Sequence, residues 1–430
     1  MDWACLKDPV CVEVALMISI FCFGYFLITI EHITRISKTS IALLMAIVCW
    51  GLEFANRKIP EGSHLLSLSE HLANISQVVF FLVGALTIVE IINAHKGFHF
   101  VLGAIQIRSK RTLLWLVGIL TFFLSSVLDN LTTTIIMVTL LKKLLPKGEE
   151  RLLMGGIVVI AANAGGAWTP IGDVPTTMLW IGGQLSTIGV MQELFLPSFT
   201  CLVGALLAMT PLLKGNFALH EDASCDKQTE PMAKAIFWLG LGCMILVPIF
   251  KVVTGLPPFM GMIFGLGAMW LVTDLVHSKY DGRVHLQVPQ VMSRVDMSSV
   301  LFFLGILLAV DALHTAGVLH HVASWMNTHL YTPEMVAVGI GLASAIVDNV
   351  PLVAATMGMY EIAQFAQDSA FWNLIAYCAG TGGSILVIGS AAGVAFMGLE
   401  KVHFFWYLGR VGVPAFIGYT VGIGCFLLFS

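Results

Sequence analysis

Twice in this chain a carboxylate and an amide stand side by side deep inside a long apolar run. The stretches are Ser125-Ser126-Val127-Leu128-Asp129-Asn130 within Thr112–Leu141, and Ser344-Ala345-Ile346-Val347-Asp348-Asn349 within Pro333–Ala366. An ionised carboxylate in hydrocarbon is costly unless it is paired or hydrated, so a chain that keeps such acids must fold a protein-lined polar site around them. Two acids in matching contexts imply one site built twice. The rest of the chain says that hydrocarbon is its solvent: 57% of the 430 residues are apolar and 11% are charged, and the mean hydropathy is +0.89. No soluble fold keeps that much apolar surface covered, so the expected fold class is an all-α polytopic membrane protein set in a lipid bilayer. A net charge of −4 offers nothing to a nucleic acid. The nine cysteines lie mostly inside apolar runs with no CxxC spacing and read as packing residues. No cofactor is called for. The first apolar run, Val10–Ile30, lacks a small-residue cleavage pattern, and it is expected to span rather than to be a secretory signal.

Runs of spanning length cover Val10–Ile30, Ser40–Phe54, His71–Ala94, Thr187–Leu213, Ala233–Val253, Phe259–Val276, Ser298–Val318 and Phe404–Phe429. Four others carry polar or glycine-rich centres. Two of these hold the Asp-Asn pairs. The other two, Leu152–Ile181 and Asn373–Met397, are broken at Asn163-Ala164-Gly165-Gly166-Ala167-Trp168-Thr169-Pro170-Ile171-Gly172-Asp173 and at Gly380-Thr381-Gly382-Gly383-Ser384-Ile385-Leu386-Val387-Ile388-Gly389-Ser390. Upstream, Phe80-Phe81-Leu82-Val83-Gly84 followed by Glu90 resembles Phe302-Phe303-Leu304-Gly305 followed by Asp311. Ordered elements recurring at nearly constant separation argue for an internal duplication.

Loop charge orients the copies. Lys96, Arg108, Lys110 and Arg111 precede the first Asp-Asn run, and Lys142, Lys143, Lys147 and Arg151 follow it, so both its flanks are cytoplasmic by the positive-inside rule. An arm from Thr112 to Ser125 reaches only ~21 Å, short of a ~30 Å core, so the run is a re-entrant helical hairpin with Asp129 at its tip. The second run has flanks without Lys or Arg and is expected to come in from outside. Arg57 and Lys58 are the one misfit to this orientation, partly offset by Glu53 and Glu61. The expected organisation is an N-terminal transmembrane helix (1–39), a first inverted repeat (40–213), a linker with a connecting transmembrane helix (214–258) and a second inverted repeat (259–430), each repeat holding one re-entrant hairpin and one broken transmembrane helix. Inverted copies with breaks at mid-membrane are the architecture of secondary transporters, not of enzymes. An aspartyl protease of the membrane would show Gly-x-Gly-Asp, which Ile171-Gly172-Asp173 does not, and no HExxH is present.

The residues at these centres favour a cation. Asp129, Asp173 and Asp348 offer anionic oxygens and together form the candidate Na+ site. Asn130, Asn349, Asn163, Thr132, Thr133, Thr169, Thr176, Ser384 and Ser390 offer neutral oxygens, and oxygen-only shells suit alkali ions. No Lys or Arg is expected near the site to neutralise an anionic substrate. A carboxylate that can hold either a proton or Na+ is the minimal chemistry of an antiporter. Competing readings stand beside these: Asp129 and Asp348 as hairpin-tip caps, Asp173 as a helix N-cap, Glu90 and Asp311 as snorkelling acids or a proton path, and His314, His320, His321 and His329 as interfacial residues or a pH or metal device.

The strings Ala162–Gly183, Ser125–Thr134 and Gly382–Gly393 resemble those of the NhaD-type sodium/proton antiporters, members of a larger ion-transporter superfamily, over nearly the whole chain. The resemblance implies a dimeric, elevator-like transporter exchanging Na+ or Li+ for H+, with ion homeostasis in a bacterial inner (cytoplasmic) membrane as its setting. It also implies that Asp173, Thr176, Ser344, Asn349 and Ser384 matter with the two Asp-Asn pairs. Pro175 departs from the family pattern, which commonly has threonine there. An arsenite-type efflux protein and a sodium-coupled carboxylate symporter of the same superfamily are the alternatives.

Overall fold

The computed structural model describes residues 9–55, 61–98, 109–213, 215–216, 230, 232–277, 281–330, 332–360 and 362–429. Of the charged loop residues used above, Arg57, Lys58 and Arg108 lie outside the described residues. Eight described helices are long and apolar enough to cross a membrane: Val12–Thr29, Lys38–Ala55, Leu65–Ala94, Thr187–Leu212, Ala233–Thr254, Pro258–His277, Met297–Thr315 and Phe404–Phe429. They coincide with the eight expected runs. Backbone groups in hydrocarbon must be satisfied within their own segment, which is why an apolar run of this length has little choice but to be helical.

Each of the four irregular runs forms two helices. The first hairpin is Lys110–Ser125 and Asn130–Leu144, and the second is Pro333–Ala343 and Asn349–Met359. The first broken helix is Glu149–Ala167 and Val174–Ile181, and the second is Ala370–Gly382 and Ala391–Glu400. Side-chain caps start several of these half-helices inside an otherwise apolar stretch. Asp129 accepts from the Thr132 amide, Asp348 from the Val350 amide and Ser390 from the Gly393 amide.

The hairpins open toward opposite ends of helix Thr187–Met209. At its C-terminal end, Arg111 Nε donates to the Leu213 carbonyl at 3.0 Å and Trp115 Nε1 to Thr210 Oγ1 at 3.1 Å, which holds the base of the first hairpin there. Lys110 pairs with Glu150, and Lys142 Nζ donates to the Leu399 carbonyl at 2.6 Å. At the N-terminal end, Asp368 Oδ1 accepts from the Ser186 amide at 2.7 Å and Gln367 Nε2 donates to the Gly183 carbonyl at 2.9 Å, which holds the chain leaving the second hairpin. At ~1.5 Å per residue these two anchors are about 34 Å apart, one bilayer core.

Two layers result. Both hairpins, both broken helices, Thr187–Met209 and Val413–Phe429 enclose the largest apolar core, with Trp372, Tyr377, Tyr407 and Phe122 fully buried in it. Helices Pro9–Thr29, Lys38–Ala55, Glu61–Ala94, Ala233–Thr254, Pro258–His277 and Met297–Thr315 pack around two further cores. The layers meet where Met297–Thr315 lies on Asn349–Met359 and where Lys251 Nζ donates to the Trp180 carbonyl at 2.8 Å.

Candidate functional site

The tips and breaks meet through contacts that recur in both halves. A Cβ on Gly165 would overlap the Phe122 carbonyl, and one on Gly382 would overlap the Gly341 carbonyl. A Cβ on Gly172 would lie 2.7 Å from the Ser125 carbonyl, and one on Gly389 would lie 2.5 Å from the Ser344 carbonyl. Ser125 Oγ donates to the Ala162 carbonyl at 2.7 Å, and Ser344 Oγ donates to the Ala379 carbonyl at 3.1 Å. Every pair is related by the separations read from the sequence, so the repeated strings correspond to repeated three-dimensional contacts. Glycine is required because each hairpin tip rests directly on the backbone of its broken helix.

The halves differ where the chemistry lies. Asp173 and Ser390 occupy equivalent N-cap positions, but Asp173 is buried and its carboxylate does not close the cap. Its Oδ1 accepts from Asn130 Nδ2 at 3.0 Å, and its Oδ2 has no partner. Asn130 Nδ2 also donates to Asn163 Oδ1 at 2.9 Å, and Asn163 Nδ2 donates to both Ser384 Oγ and Ser390 Oγ at 2.9 Å. Five expected residues, Asn130, Asn163, Asp173, Ser384 and Ser390, thus form one buried polar chain from the first hairpin tip through both breaks. The position equivalent to Asn163 is Gly380, and a Cβ there would lie 3.3 Å from Asp173 Oδ2. Asn349, the equivalent of Asn130, accordingly has no second asparagine beside it, and its Nδ2 is buried without a partner. A buried carboxylate oxygen and a buried amide thus keep hydrogen-bonding capacity that no protein group takes up.

The other expected residues sit around this chain. Asp129 is held by Thr132, whose amide and hydroxyl reach its two oxygens at 2.8 and 2.6 Å, so the capping role is real at this tip. Thr169 Oγ1 ties the first break to the Ser126 carbonyl at 2.6 Å, Thr176 Oγ1 reaches the Ala167 carbonyl at 3.4 Å, and Thr133 Oγ1 is buried without a partner. Asp348 faces a separate cavity of about 90 Å³, lined also by Tyr25, Glu31, Lys38 and Ser390. Among the described residues no three of His, Cys, Asp and Glu gather to hold a metal, so Asp129, Asp173 and Asp348 do not share one ligand sphere in this conformation. Lys38 corrects the expectation that no basic residue approaches the site. Its place at the start of a different helix hides it from any reading of the hairpins alone. Tyr25 and Thr134, both with buried unpartnered hydroxyls, were equally missed. A lone tyrosine in the apolar first helix was the available signal.

Of the histidines, His314 packs edge-on to His71, His329 stacks on Trp325, and His320 and His321 are exposed on helix Val318–His329. His71 Nδ1 instead meets Asp311 Oδ2 at 3.3 Å.

Eight helix ends converge on this region: N-termini at Asn130, Val174, Asn349 and Ala391, and C-termini at Ser125, Ala167, Ala343 and Gly382. Partial charges of roughly +0.5 and −0.5 at these ends offset one another, so the aspartates set the sign of the site. Known proteins are similar to the chain over most of its length. The citrate transporter family model, CitMHS, matches residues 25–382. The chain is 52% identical over 413 residues to sodium/proton antiporter 1 of Arabidopsis thaliana, covering 96% of this chain and 72% of that protein. It is 50% identical over 416 residues to sodium/proton antiporter 2 of the same plant, covering 96% and 98%. Against the Na+/H+ antiporter NhaD of Alkalimonas amylolytica it is 30% identical over 446 residues, covering 95% and 89%. Matched by the family model over most of its length and by NhaD proteins over nearly all of it, the chain belongs to the CitMHS citrate-transporter family, among its NhaD-type sodium/proton antiporters.

Proposed function

We propose that this protein is a secondary active transporter exchanging Na+, or Li+, for H+, with both ions using Asp173. The observation that carries the reading is the unpartnered Oδ2 of a buried carboxylate, beside Gly380 and surrounded by amides and hydroxyls. In the exchange step the protonated carboxyl releases H+ as Na+ binds to the carboxylate, and on the other side of the membrane Na+ leaves and H+ returns. Asn130 orients Asp173, Asn163 and Ser384 complete an oxygen-rich wall, and Asp129 and Asp348 add negative potential from the two tips. Two inverted repeats within 40–213 and 259–430, a homodimer and an elevator-like movement of the hairpin layer against the other fit this reading. The relatives come from a plant as well as from bacteria. The setting proposed is therefore any proton-energised membrane, with the bacterial inner membrane as one case.

The family model's description favours one second reading, sodium-coupled uptake of a carboxylate. Helix N-termini at a broken-helix site would suit an anion if they were left open for it. Here Asp129, Asp348 and Ser390 already cap three of the four, and the carboxylate of Asp173 stands at the fourth, which favours the cation. The test is an imposed pH gradient in vesicles. NaCl or LiCl should collapse it, citrate alone should not, and Asp173→Asn should remove the response. Citrate-dependent Na+ uptake with no proton movement would replace exchange by symport.

A further inference from the structure

Two cavities of nearly equal size lie between the layers, about 320 Å³ and about 330 Å³. Helix Glu61–Ala94 lines both. Leu86, Val89, Glu90 and Asn93 face the first cavity, and His71, Asn74, Ile75, Gln77 and Val78 face the second. Glu90 and His71 are 19 residues apart on this helix, about 28 Å, so the cavities sit near opposite membrane faces. The first is bordered by Lys143 at the open end of the first hairpin, and the second by Gly358 at the open end of the second hairpin.

Their walls are duplicated. Leu86 of the first cavity corresponds to Leu307 of the second, Glu90 to Asp311, Asn93 to His314 and, on the returning arm of each hairpin, Ile135 to Ala354; all eight line their cavity. Each cavity therefore sets one of the two equivalent acids, Glu90 or Asp311, opposite the returning arm of one hairpin. The acids have different partners. Glu90 accepts from Asn93 Nδ2 at 3.2 Å, in a cavity that also holds Arg294, Lys143 and Asp296, and Asp311 meets His71. Thr132, which holds Asp129, lines the first cavity, and Met178, one turn beyond Asp173, lines the second. Both cavities thus lead toward the site from opposite sides. Each acid borders open space.

We propose that the two cavities are paired access vestibules, one for each membrane face, and that Glu90 and Asp311 are the equivalent residues that gather Na+ for the site from their own side. An acid in a low-dielectric cleft raises the local concentration of cations and speeds their arrival. The proposal rests on the Na+/H+ exchange reading and adds sidedness to it.

The experiment compares everted with right-side-out vesicles and measures the apparent KM for Na+ supplied at the outer surface of each. Glu90→Gln should raise KM about threefold or more only where Na+ is offered at the face bearing Lys143, and Asp311→Asn should do so only at the opposite face. Glu90→Asp, which keeps the charge, should stay near the wild-type KM. Equal changes at both faces, no change at either, or a loss in Glu90→Asp as large as in Glu90→Gln would overturn the assignment. Wild-type Na+-driven proton movement in the same vesicles tests the exchange reading by itself, so the two failures are distinguishable.

Discussion

At the scale of single residues, the proposed exchange rests on what surrounds one carboxylate oxygen, Asp173 Oδ2. Asn163 bridges Asn130 to Ser384 and Ser390, so Asn163→Ala removes three buried hydrogen bonds and leaves Ser384 Oγ without its amide donor, while Asn130 keeps Asp173 and Ser390 keeps the Gly393 amide. A loss of about 1–3 kcal/mol is expected, seen as a KM for Na+ raised roughly fivefold or more in the exchange assay. In the proposed exchange Na+ and H+ compete for Asp173, and that competition sets the sign of the expected pH response. Bound protons must leave before Na+ binds, so the half-saturating Na+ concentration should rise as pH falls, and Na+ should reciprocally expel protons. A half-saturation independent of pH, with only the maximal rate changing, would separate the two ion sites. Away from the site, His95 is buried with Nε2 2.9 Å from His277 Nε2. Burial pushes its pKa below the ordinary histidine value, with the His285 charge acting in the same direction and the Ile91 carbonyl and Glu230 opposing it. The unfolded chain then takes up a proton near pH 6.5 that the folded chain refuses, so this contribution to stability is intact above that pH and is lost as pH falls through it. The melting temperature in detergent should drop between pH 8 and pH 5.5, and His95→Asn should flatten that drop.

At the scale of elements, the hairpins and broken helices are held by backbone approach rather than by large side chains. Gly165 and Gly382 sit where any Cβ would meet a carbonyl of the neighbouring hairpin arm, so Gly165→Ala and Gly382→Ala must push the tip away from the break. Each should cost about 1–3 kcal/mol or more and lower the yield of monodisperse protein, whereas Gly398→Ala, where a Cβ meets open space, should be tolerated. Chromatography of detergent-solubilised variants checks this. The elements themselves were legible in the sequence because bilayer thickness fixes the length of an apolar run and forces it to be helical. The hairpins were legible because Asp129 and Asp348 both interrupt such a run and cap the helix that follows. That Asp173 rather than Asp129 or Asp348 keeps a buried unpartnered oxygen was not legible, because it depends on which side chains reach each carboxylate.

At the scale of the whole molecule, the two hairpins approach one site from opposite ends of a single spanning helix. Cysteines placed at Lys147 and at Gln367, both exposed, should therefore be labelled by an impermeant thiol reagent from opposite faces in an otherwise cysteine-free background. Labelling of both from one face would make the hairpins parallel and remove the inverted arrangement. The same geometry explains why Glu90 and Asp311, undecided between a proton path and plain snorkelling in the sequence, acquire matched surroundings in the fold.

The amino-acid pattern by itself determined the membrane class, the eight spans and the four interruptions, because each of these is local: hydrocarbon penalises every unpaired backbone group and every stray charge where it occurs along the chain. The tertiary structure alone decided which polar groups meet. Asn163 reaches Ser384 and Ser390 across more than half the chain, and Lys38 and Tyr25 come from the first helices to the cavity beside Asp348. It also decided that the three aspartates stand in separate surroundings rather than in one ligand sphere. Such contacts depend on how helices distant in sequence pack around glycines, and no periodicity or composition within a single run encodes that.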